Sequence, residues 1–444
     1  MSEPTPRPLP ELSPLTPAPE ADVETMPRYE TANRTQIELT PTDLEALLPP
    51  GHAARLVWRF VEGLDLSAFY ATIKAREGRA GRPAIDPQIL IALWLYATID
   101  GVGSAREVDR LCYSHDAYRW IRGGVSVNYH TLSDFRMQHQ TALDGLLTQS
   151  ITALLHRGII TLARVAHDGT KVRASAGVGS FRRPATLREC LRRAEQQVVR
   201  TQRQGEAGSR SRRETAHQRA AEDRLARVQE ALAELPAVEA AKARTASKRK
   251  DRRPAEARVS TTDPQARVMK LADNGFRPAY NVQFATDGDS TAVVGVAVTN
   301  VGTDAAEAVP MLAQIQRRCG RAPTTLLMDR GVGTNEAITE ATAQGVTVYA
   351  PVPRARGVTD LTARCPHDSD AVAAWRVRMA TEPAHAIYRQ RGAIAERTNG
   401  DVHTHRTLDR FRVRGLPKVL CCALWVALAL NLMRAMEIVP HLMT

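Results

Sequence analysis

Residues 159–177 read IITLARVAHDGTKVRASAG, and this stretch decides the class of fold. Its β-branched and apolar first half predicts a strand, and the Gly169 that follows Asp168 predicts a turn, so the strand reaches the surface at Asp168. The preceding residues, 37–158, instead repeat apolar side chains three and four apart, which is the spacing of helices. The chain therefore changes here from an all-helical part to a part built on a sheet.

Later apolar runs complete this sheet. Residues 280–287 (YNVQFATD) and 291–299 (TAVVGVAVT) are joined by the turn residues Gly, Asp and Ser, which predicts a hairpin. A helix over 305–319 then leads to the strand TTLLMD, which ends at Asp329. The order strand, insertion, hairpin, helix, strand, helix, strand is that of a mixed α/β fold. The remaining predicted elements are a helix over 335–344, a strand at 346–352 (VTVYAPV), helices from Pro383 to the end and, among these, the apolar run 419–433. We interpret that run as a buried core helix, because it is short for a bilayer span.

The charge of the chain points to polyanionic partners. Lys and Arg number 60 against 48 Asp and Glu, a formal net charge of +12. Aromatic residues make up only 5%, so base stacking is not expected to be the main mode of any nucleic-acid contact. The six cysteines form no CxxC pair and no Cys/His spacing suited to zinc, and the N-terminus has no signal-peptide pattern. These features predict a cytoplasmic protein with free thiols and no membrane partner.

Composition predicts the domain organisation. Eight prolines within residues 1–27 predict a flexible tail, assigned to residues 1–36. A helical domain follows over residues 37–160 and a sheet domain over residues 161–435. In the helical domain, Ser104–Cys112 after a glycine turn comes nearest to a helix-turn-helix, and a merely structural bundle is the alternative.

Residues 181–259 are predicted to form a basic helical insertion in the sheet domain. Between residues 182 and 258 there are 21 Lys and Arg against 11 Asp and Glu. The apolar residues are spaced as in two amphipathic helices, broken near Gly205 and Gly208. Such a hairpin is either a sequence-independent DNA surface or a solvated pair of helices laced by salt bridges, with no ligand.

Two acidic residues stand at the ends of apolar strands, Asp168 in VAHDGTK and Asp329 in LLMDRGVG. Ligands of α/β proteins usually lie at the carboxyl ends of the strands. A single Asp there is more commonly a turn former or a helix cap. Two of them in one sheet of a basic protein favour a metal site.

A third carboxylate is expected from Glu396, in YRQRGAIAERTNG. On a helix, Tyr388, Gly392 and Glu396 share one polar face, which Asn399 and His403 extend. The alternative is that Glu396 pairs with a neighbouring Arg on a solvated surface. Three gathered carboxylates repel one another unless cations lie between them, and Mg²⁺ is the usual ion for such oxygen ligands. Two such ions promote displacement at phosphorus, which predicts phosphodiester cutting or joining.

With these residues in view, the chain resembles a bacterial insertion-sequence transposase of the DDE class. Three separated blocks carry the resemblance and, with the two Asp strands, span roughly residues 40–435 in order. They are GRPAIDPQILIALWLYATIDGVGSAREVDRLCYSHDAYRWIRGG with the following NYHTLSDFR, STTDPQARVMKLADNGFRPAYNVQFATD, and YRQRGAIAERTNG with the later DRFRVRGLPKV.

The resemblance implies an RNase H-like catalytic domain. Asp168 would lie on its first strand, Asp329 after its fourth strand and Glu396 on a late helix, as a triad that binds Mg²⁺ with Mn²⁺ as a substitute. It also implies that Tyr388 and Arg391 accompany the Glu and position the DNA of the transposon end.

The chain departs from the pattern of its apparent relatives after the Glu. They often carry an aromatic residue and a Lys, whereas this chain has Asn399 and His403. Arg406 or Lys418 is then a candidate substitute for the Lys, and His403 and Arg406 are expected to contact DNA together with Tyr388 and Arg391.

The resemblance implies double-stranded DNA as the partner, both as terminal inverted repeats and as target. The leading hypothesis is a transposase that nicks the element ends and transfers the 3′-hydroxyl ends to target DNA, as a homodimer on DNA near the bacterial nucleoid. The alternatives are a catalytically silent DNA-binding relative and a metal-dependent nuclease that cuts without joining.

Overall fold

A computed structural model of the chain describes residues 41–75, 83–205, 211–247, 256–353 and 360–438. Residues 44–444 form one compact unit, and all that follows concerns that unit. The expected flexible tail, residues 1–36, and the expected break at Gly208 lie outside the described residues.

Helices make up the first part of the compact unit. Asp86 begins the longest apolar helix of this part, because its carboxylate accepts a hydrogen bond from the backbone N–H of Gln88 while Pro87 occupies the first turn. Trp94 on the same helix is fully buried and donates its indole N–H to the carbonyl of Leu132, 3.0 Å away. The helices are α1 (Ala53–Glu62), α2 (Ser67–Tyr70), α3 (Pro87–Ile99), α4 (Ala105–Ser114), α5 (Asp116–Arg122), α6 (Tyr129–Gln138) and α7 (Gln140–His156), after a 3-10 turn at Glu45–Leu47.

The predicted change to a sheet is confirmed directly after α7. The first strand, β1 (Arg164–Arg173), is central and carries neighbours on both edges. It continues past Asp168 through Gly169, because both residues pair with β5, so the turn predicted at Gly169 was wrong. The other strands are β2 (Phe181–Arg182), β3 (Val259–Ser260), β4 (Arg267–Lys270), β5 (Phe276–Asp287), β6 (Val293–Thr299), β7 (Thr325–Met328) and β8 (Thr347–Tyr349), with β2 and β3 forming a separate two-stranded sheet.

The main sheet is mixed, as the order of elements predicted. On one edge β1 pairs with β5 in antiparallel fashion, and β5 pairs in turn with β4 and β6. On its other edge β1 pairs with β7 in parallel, and β7 with β8. This arrangement of a hairpin on one side and two parallel strands on the other is the RNase H-like architecture expected of the catalytic part.

The basic insertion is a pair of packed helices, α8 (Pro184–Gly205) and α9 (Arg212–Ser247). They arise between β2 and β3, so the two-stranded sheet closes the base of the hairpin. A small core of its own holds this base together, with Leu187 from α8 fully buried against α9. The members of that core are Leu187, Ala231, Leu235, Val238, Ala257 and Val259.

The last part adds helices on the faces of the sheet. They are α10 (Ala308–Cys319), α11 (Asn335–Ala343), α12 (Asp370–Met379), α13 (Glu382–Thr404) and α14 (Leu416–Ile438). Of these, α12 was not predicted from the sequence.

The apolar helix α14 corrects one sequence argument. In the described part of the chain it is the one helix long and apolar enough to cross a membrane, so the argument from shortness was wrong. Its most apolar window is nevertheless 83% buried, and it packs against α3, α7 and β6. Asn431 of α14 joins the helix to β6 by two hydrogen bonds. Its side-chain oxygen accepts the backbone N–H of Val293, and its side-chain nitrogen donates to the carbonyl of Val293. The burial of α14, and not its length, therefore supports its interpretation as a core helix.

Candidate active site

The pairing of β1 with β7 brings two distant carboxylates to one edge of the sheet. His167 lies opposite Met328 in the parallel register, and Asp168 and Asp329 are the next residue on each strand. Neighbouring strands lie about 4.8 Å apart, so the two Asp residues are adjacent. The negative charge of Asp329 contributes to a raised pKa of Asp168. The first two residues of the expected triad are thus neighbours, although 160 residues separate them in sequence.

Asp168 is a largely desolvated carboxylate held by helix α13. Arg391 donates from Nη2 to its Oδ1 at 2.7 Å, and Asn399 donates from Nδ2 to its Oδ2 at 2.9 Å. Its side chain is 18% exposed. Burial is the main reason that its pKa is raised, while the Arg391 guanidinium opposes the shift. Helix α13 therefore fixes both oxygens of the Asp168 carboxylate.

Asp329 is fixed by the turn that follows β7. Its Oδ1 accepts the backbone N–H of Val332 at 2.8 Å, and its carbonyl accepts the N–H of Gly333 at 2.9 Å. This turn holds the carboxylate at the strand end, as the Gly-rich sequence after Asp329 predicts.

Packing sets the orientation of α13 over the sheet. Ile394 and Ala395 of the helix form an apolar cluster with Ala166 of β1 and Leu327 of β7. Next to it, Thr398 accepts a hydrogen bond from Thr286 at 3.3 Å. These contacts place Arg391 and Asn399 at the level of Asp168 because both lie within one helical turn of the cluster.

Glu396 does not share the position of the two Asp residues. It is exposed, and its carboxylate lies along α13 towards Gly392, where a Cβ on that glycine would be 3.7 Å from Oε1. Among the residues that the structure describes, no three His, Cys, Asp or Glu side chains are gathered closely enough to hold a metal ion. The structure therefore brings together Asp168, Asp329, Arg391 and Asn399, and leaves Glu396 on the adjacent solvent-facing side of the helix.

The other expected DNA contacts occupy three different environments. Tyr388 is half-buried near the carboxylates; burial is the main reason that its pKa is raised, and the charges of Asp329 and Asp168 add to the shift. His403 places Nε2 2.7 Å from the hydroxyl of Thr170 on β1, and burial lowers its pKa.

Arg406 has a structural partner set instead. It is 9% exposed, forms an ion pair with Asp401 and donates to the carbonyl of Ile99 at the end of α3. It thereby ties α13 to the helical part, and its role on DNA stays a prediction.

A buried polar cluster lies behind Asp168, and sequence reasoning missed it. Asn281 and Gln283 on β5 each donate at 2.6 Å to Oδ1 of Asp304, and their own side-chain oxygens are buried without a partner in the described structure. His167 is fully buried beside them. A Cβ on Gly169 would lie 2.3 Å from Nε2 of Gln283, so this position requires glycine. The alternating polar residues of YNVQ on an apolar strand were the available signal.

A basic groove of about 820 Å³ begins at this site. It follows β1 from Gly169 past Lys171 and Arg173 to the β4–β5 turn, where Lys270 adds positive charge and Arg277 pairs with Asp273 at 2.5 Å. Arg173 pairs with Asp409 at 3.1 Å. The groove thus lies next to Asp168 and carries more cations than carboxylates, which suits a phosphate backbone.

Comparison with known families agrees with this geometry. The family described as "Transposase DDE domain" matches residues 256–432, which include Asp329, Arg391 and Glu396. The family described as "Transposase domain (DUF772)" matches residues 42–138, which hold α1 to α6. No curated protein and no solved structure matches the chain.

The two matched regions flank the strand of Asp168 and the basic insertion, and together they cover more than half of the chain. Their order, helical part first and DDE part second, is the order of the fold. Strand β1 with Asp168 lies between the two matched regions, and β7 with the following Asp329 lies within the second. The chain therefore belongs to the DDE transposases of insertion sequences, enzymes that act on DNA.

Proposed function

We propose that this transposase nicks the ends of its element and transfers the freed 3′-hydroxyl ends to target DNA, with Asp168, Asp329 and Glu396 as the metal-binding catalytic residues. The observation that carries the proposal is the adjacency of Asp168, within β1, and Asp329, directly after β7, at the point where the pairing of these two strands stops. Asp168 is desolvated and held at both oxygens.

The donor set fits hard divalent ions such as Mg²⁺ or Mn²⁺, because all three groups are carboxylates. When bound, such ions activate a water or a 3′-hydroxyl and stabilise the leaving oxygen at phosphorus. Arg391 and Asn399 orient Asp168, and the turn at Val332 orients Asp329. Glu396 lies on the adjacent, solvent-facing side of the same helix and would supply the third carboxylate only after a change of side-chain rotamer.

DNA would approach along the basic groove beside β1. Lys171 and Lys270 there have no acidic partner among the described residues, so their charges are available for phosphates. On the α13 side, the residues expected to contact the DNA are Tyr388, Arg391 and His403. Arg406 instead holds the end of α13 to α3 through the carbonyl of Ile99. We assign residues 37–160 to recognition of the terminal repeats, 161–435 to catalysis and 181–259 to a supporting DNA surface, in a homodimer that pairs two ends.

The deciding experiment combines end-labelled DNA from both flanks of the gene with a target plasmid and the purified chain in Mg²⁺. A transposase gives nicked ends and then labelled ends joined to the plasmid. A nuclease gives cut ends without joined products, and a catalytically silent relative retards the DNA without cutting it. Either of these last two results would overturn the proposal.

A further inference from the structure

A second basic cavity lies where the insertion meets the sheet part. It has a volume of about 250 Å³ and is walled by α8 and α9 on one side and by the segment after β3 on the other. We call it the arginine notch. Its lining residues are Cys190, Arg224, Arg227, Val228, Thr261, Thr262 and Arg414.

The notch carries three guanidinium groups and has no carboxylate in its wall. Arg224 donates a hydrogen bond from Nη1 to Oε1 of Gln197 at 3.1 Å, which holds its guanidinium in place. The Nε of Arg227 is buried and has no hydrogen-bond partner in the described structure. A buried donor without a partner is costly, and an acceptor group bound in the notch would lower that cost.

One acidic residue near the notch faces Arg414. Asp263 is fully buried and accepts hydrogen bonds from the hydroxyl of Tyr280 at 2.7 Å and from the N–H of Gly415 at 3.2 Å. Its carboxylate is therefore directed into the protein, although it also interacts electrostatically with Arg414. The charge that the notch presents outward is positive.

We propose that the arginine notch binds one phosphate group of the DNA backbone and thereby fixes the insertion on the DNA. Planar guanidinium groups match phosphate oxygens with paired donors, and the hydroxyl of Thr262 lies in the same cavity. The inference deepens the proposed function and rests on it, since it takes DNA as the substrate. A diffuse electrostatic surface would attract DNA anywhere along the insertion, whereas this proposal assigns one phosphate contact to one cavity.

The notch lies between two parts of the protein, so a phosphate bound there would contact both. Arg224 and Arg227 belong to α9, whereas Arg414 belongs to the loop that leads into α14. A phosphate held by all three would bridge the insertion and the catalytic part. One contact would then set both the register of the DNA and the orientation of the hairpin.

The test uses Cys190, which lines the notch and reports on its occupancy. The alkylation rate of each cysteine in the full chain is measured by mass spectrometry, with and without a double-stranded oligonucleotide of arbitrary sequence. Cys365 is exposed and serves as an internal reference. We expect DNA to slow alkylation of Cys190 at least fivefold relative to Cys365. The same alkylation rates are measured in parallel with inorganic phosphate alone at millimolar concentration in place of DNA.

Two variants with the same change of charge separate a built site from a general field. In R224Q/R227Q/R414Q we expect the protection of Cys190 to disappear, DNA affinity to fall roughly tenfold and the salt slope of binding to fall by about one. The control R200Q/R213Q/R219Q removes three exposed arginines of the same helices and should keep the protection. R224K/R227K/R414K, which keeps the charge, should restore part of the affinity.

Equal protection in the two Gln variants, or no protection of Cys190 in the wild type, would overturn the notch while leaving cleavage and joining untouched. Full protection by inorganic phosphate but not by DNA would assign the site to a free anion and overturn the inference as well. A chain that protects Cys190 on DNA yet never cuts would support the notch and instead remove the proposed function.

Discussion

The Asp168 site and the α8–α9 hairpin both concentrate charge, but they hold it in opposite ways. Asp168 is largely buried and bonded to Arg391 and Asn399, which follow it by 223 and 231 residues in the chain. Arg193 on α8 is 68% exposed and pairs at 2.7 Å with Glu189, one turn away on the same helix. Charge in the sheet is therefore fixed by long-range contacts, and charge in the hairpin by local contacts in water.

This difference separates two uses of charge. A desolvated carboxylate has strong interactions with any ion or proton that reaches it, because water does not screen them. Exposed ion pairs contribute little to stability and create mainly a field that attracts DNA. Four measurements can break or sharpen this contrast.

The largest effect is expected at Asp168. Asp168→Asn keeps the shape of the side chain but removes its charge, so cleavage in Mg²⁺ should fall by about a hundredfold or more. DNA binding should stay largely intact in a gel-retardation assay. Asp409→Asn is the matched control, because it removes an exposed carboxylate at the same groove. Asp329→Asn and Glu396→Gln should behave like Asp168→Asn, and substantial cleavage by any one of the three would remove that residue from the triad.

The next effect concerns the packing behind the site. Gly169→Ala would place a Cβ 2.3 Å from Nε2 of Gln283 and 2.4 Å from Oδ1 of Asp304, so β1 or the polar cluster must shift. We expect the free energy of unfolding to fall by about 1–3 kcal/mol in urea denaturation. Gly177→Ala is the control, since a Cβ there meets nothing within 4 Å. Equal stability of the two variants would show that the cluster is not rigid.

A smaller effect is the pH dependence that His167 contributes. Burial lowers its pKa to about 4, so between pH 6.5 and 5 the unfolded chain binds a proton that the folded chain does not. From this side chain alone, the free energy of unfolding should fall by about 1.5 kcal/mol over that interval.

Variants isolate the contribution of His167 from that of Asp168, whose raised pKa acts in the opposite direction as pH falls. His167→Asn should flatten the loss of stability between pH 6.5 and 5, whereas His130→Asn, at an exposed position, should leave it unchanged. An unaltered pH profile in His167→Asn would mean that the imidazole is not desolvated.

The smallest effect is expected in the hairpin. Removing the ion pair of Arg193 and Glu189 by Gln substitution should change the free energy of unfolding by at most about 0.5 kcal/mol, because both groups are in contact with water. A double-mutant cycle measures the pair alone. A coupling above 1 kcal/mol would erase the contrast between the two regions.

Local pattern was enough to predict most elements of the fold. The strand expected at 291–299 is β6 at Val293–Thr299, and the helix expected at 305–319 is α10 at Ala308–Cys319. These runs are apolar or amphipathic on their own, so no distant residue is needed to recognise them. Helix α12 was missed although its buried side chains, Val372, Trp375 and Met379, are spaced three and four apart as in an amphipathic helix.

The site was predictable only in part. Strand ends pointed to Asp168 and Asp329, and helical spacing pointed to the face of α13. The hydrogen bonds of Arg391 and Asn399 to Asp168 depend on how α13 packs over the sheet, which no local pattern encodes. For the same reason the sequence did not separate exposed Glu396 from buried Arg406.

The late position of α13 has a consequence for synthesis of the protein on the ribosome. The first catalytic strand emerges early, but its carboxylate obtains its two partners only after translation has passed residue 399. A prematurely terminated chain that stops before Glu382 would retain the helical region and the arginines of the hairpin. Its Asp168 carboxylate would lack both of the donors that hold it.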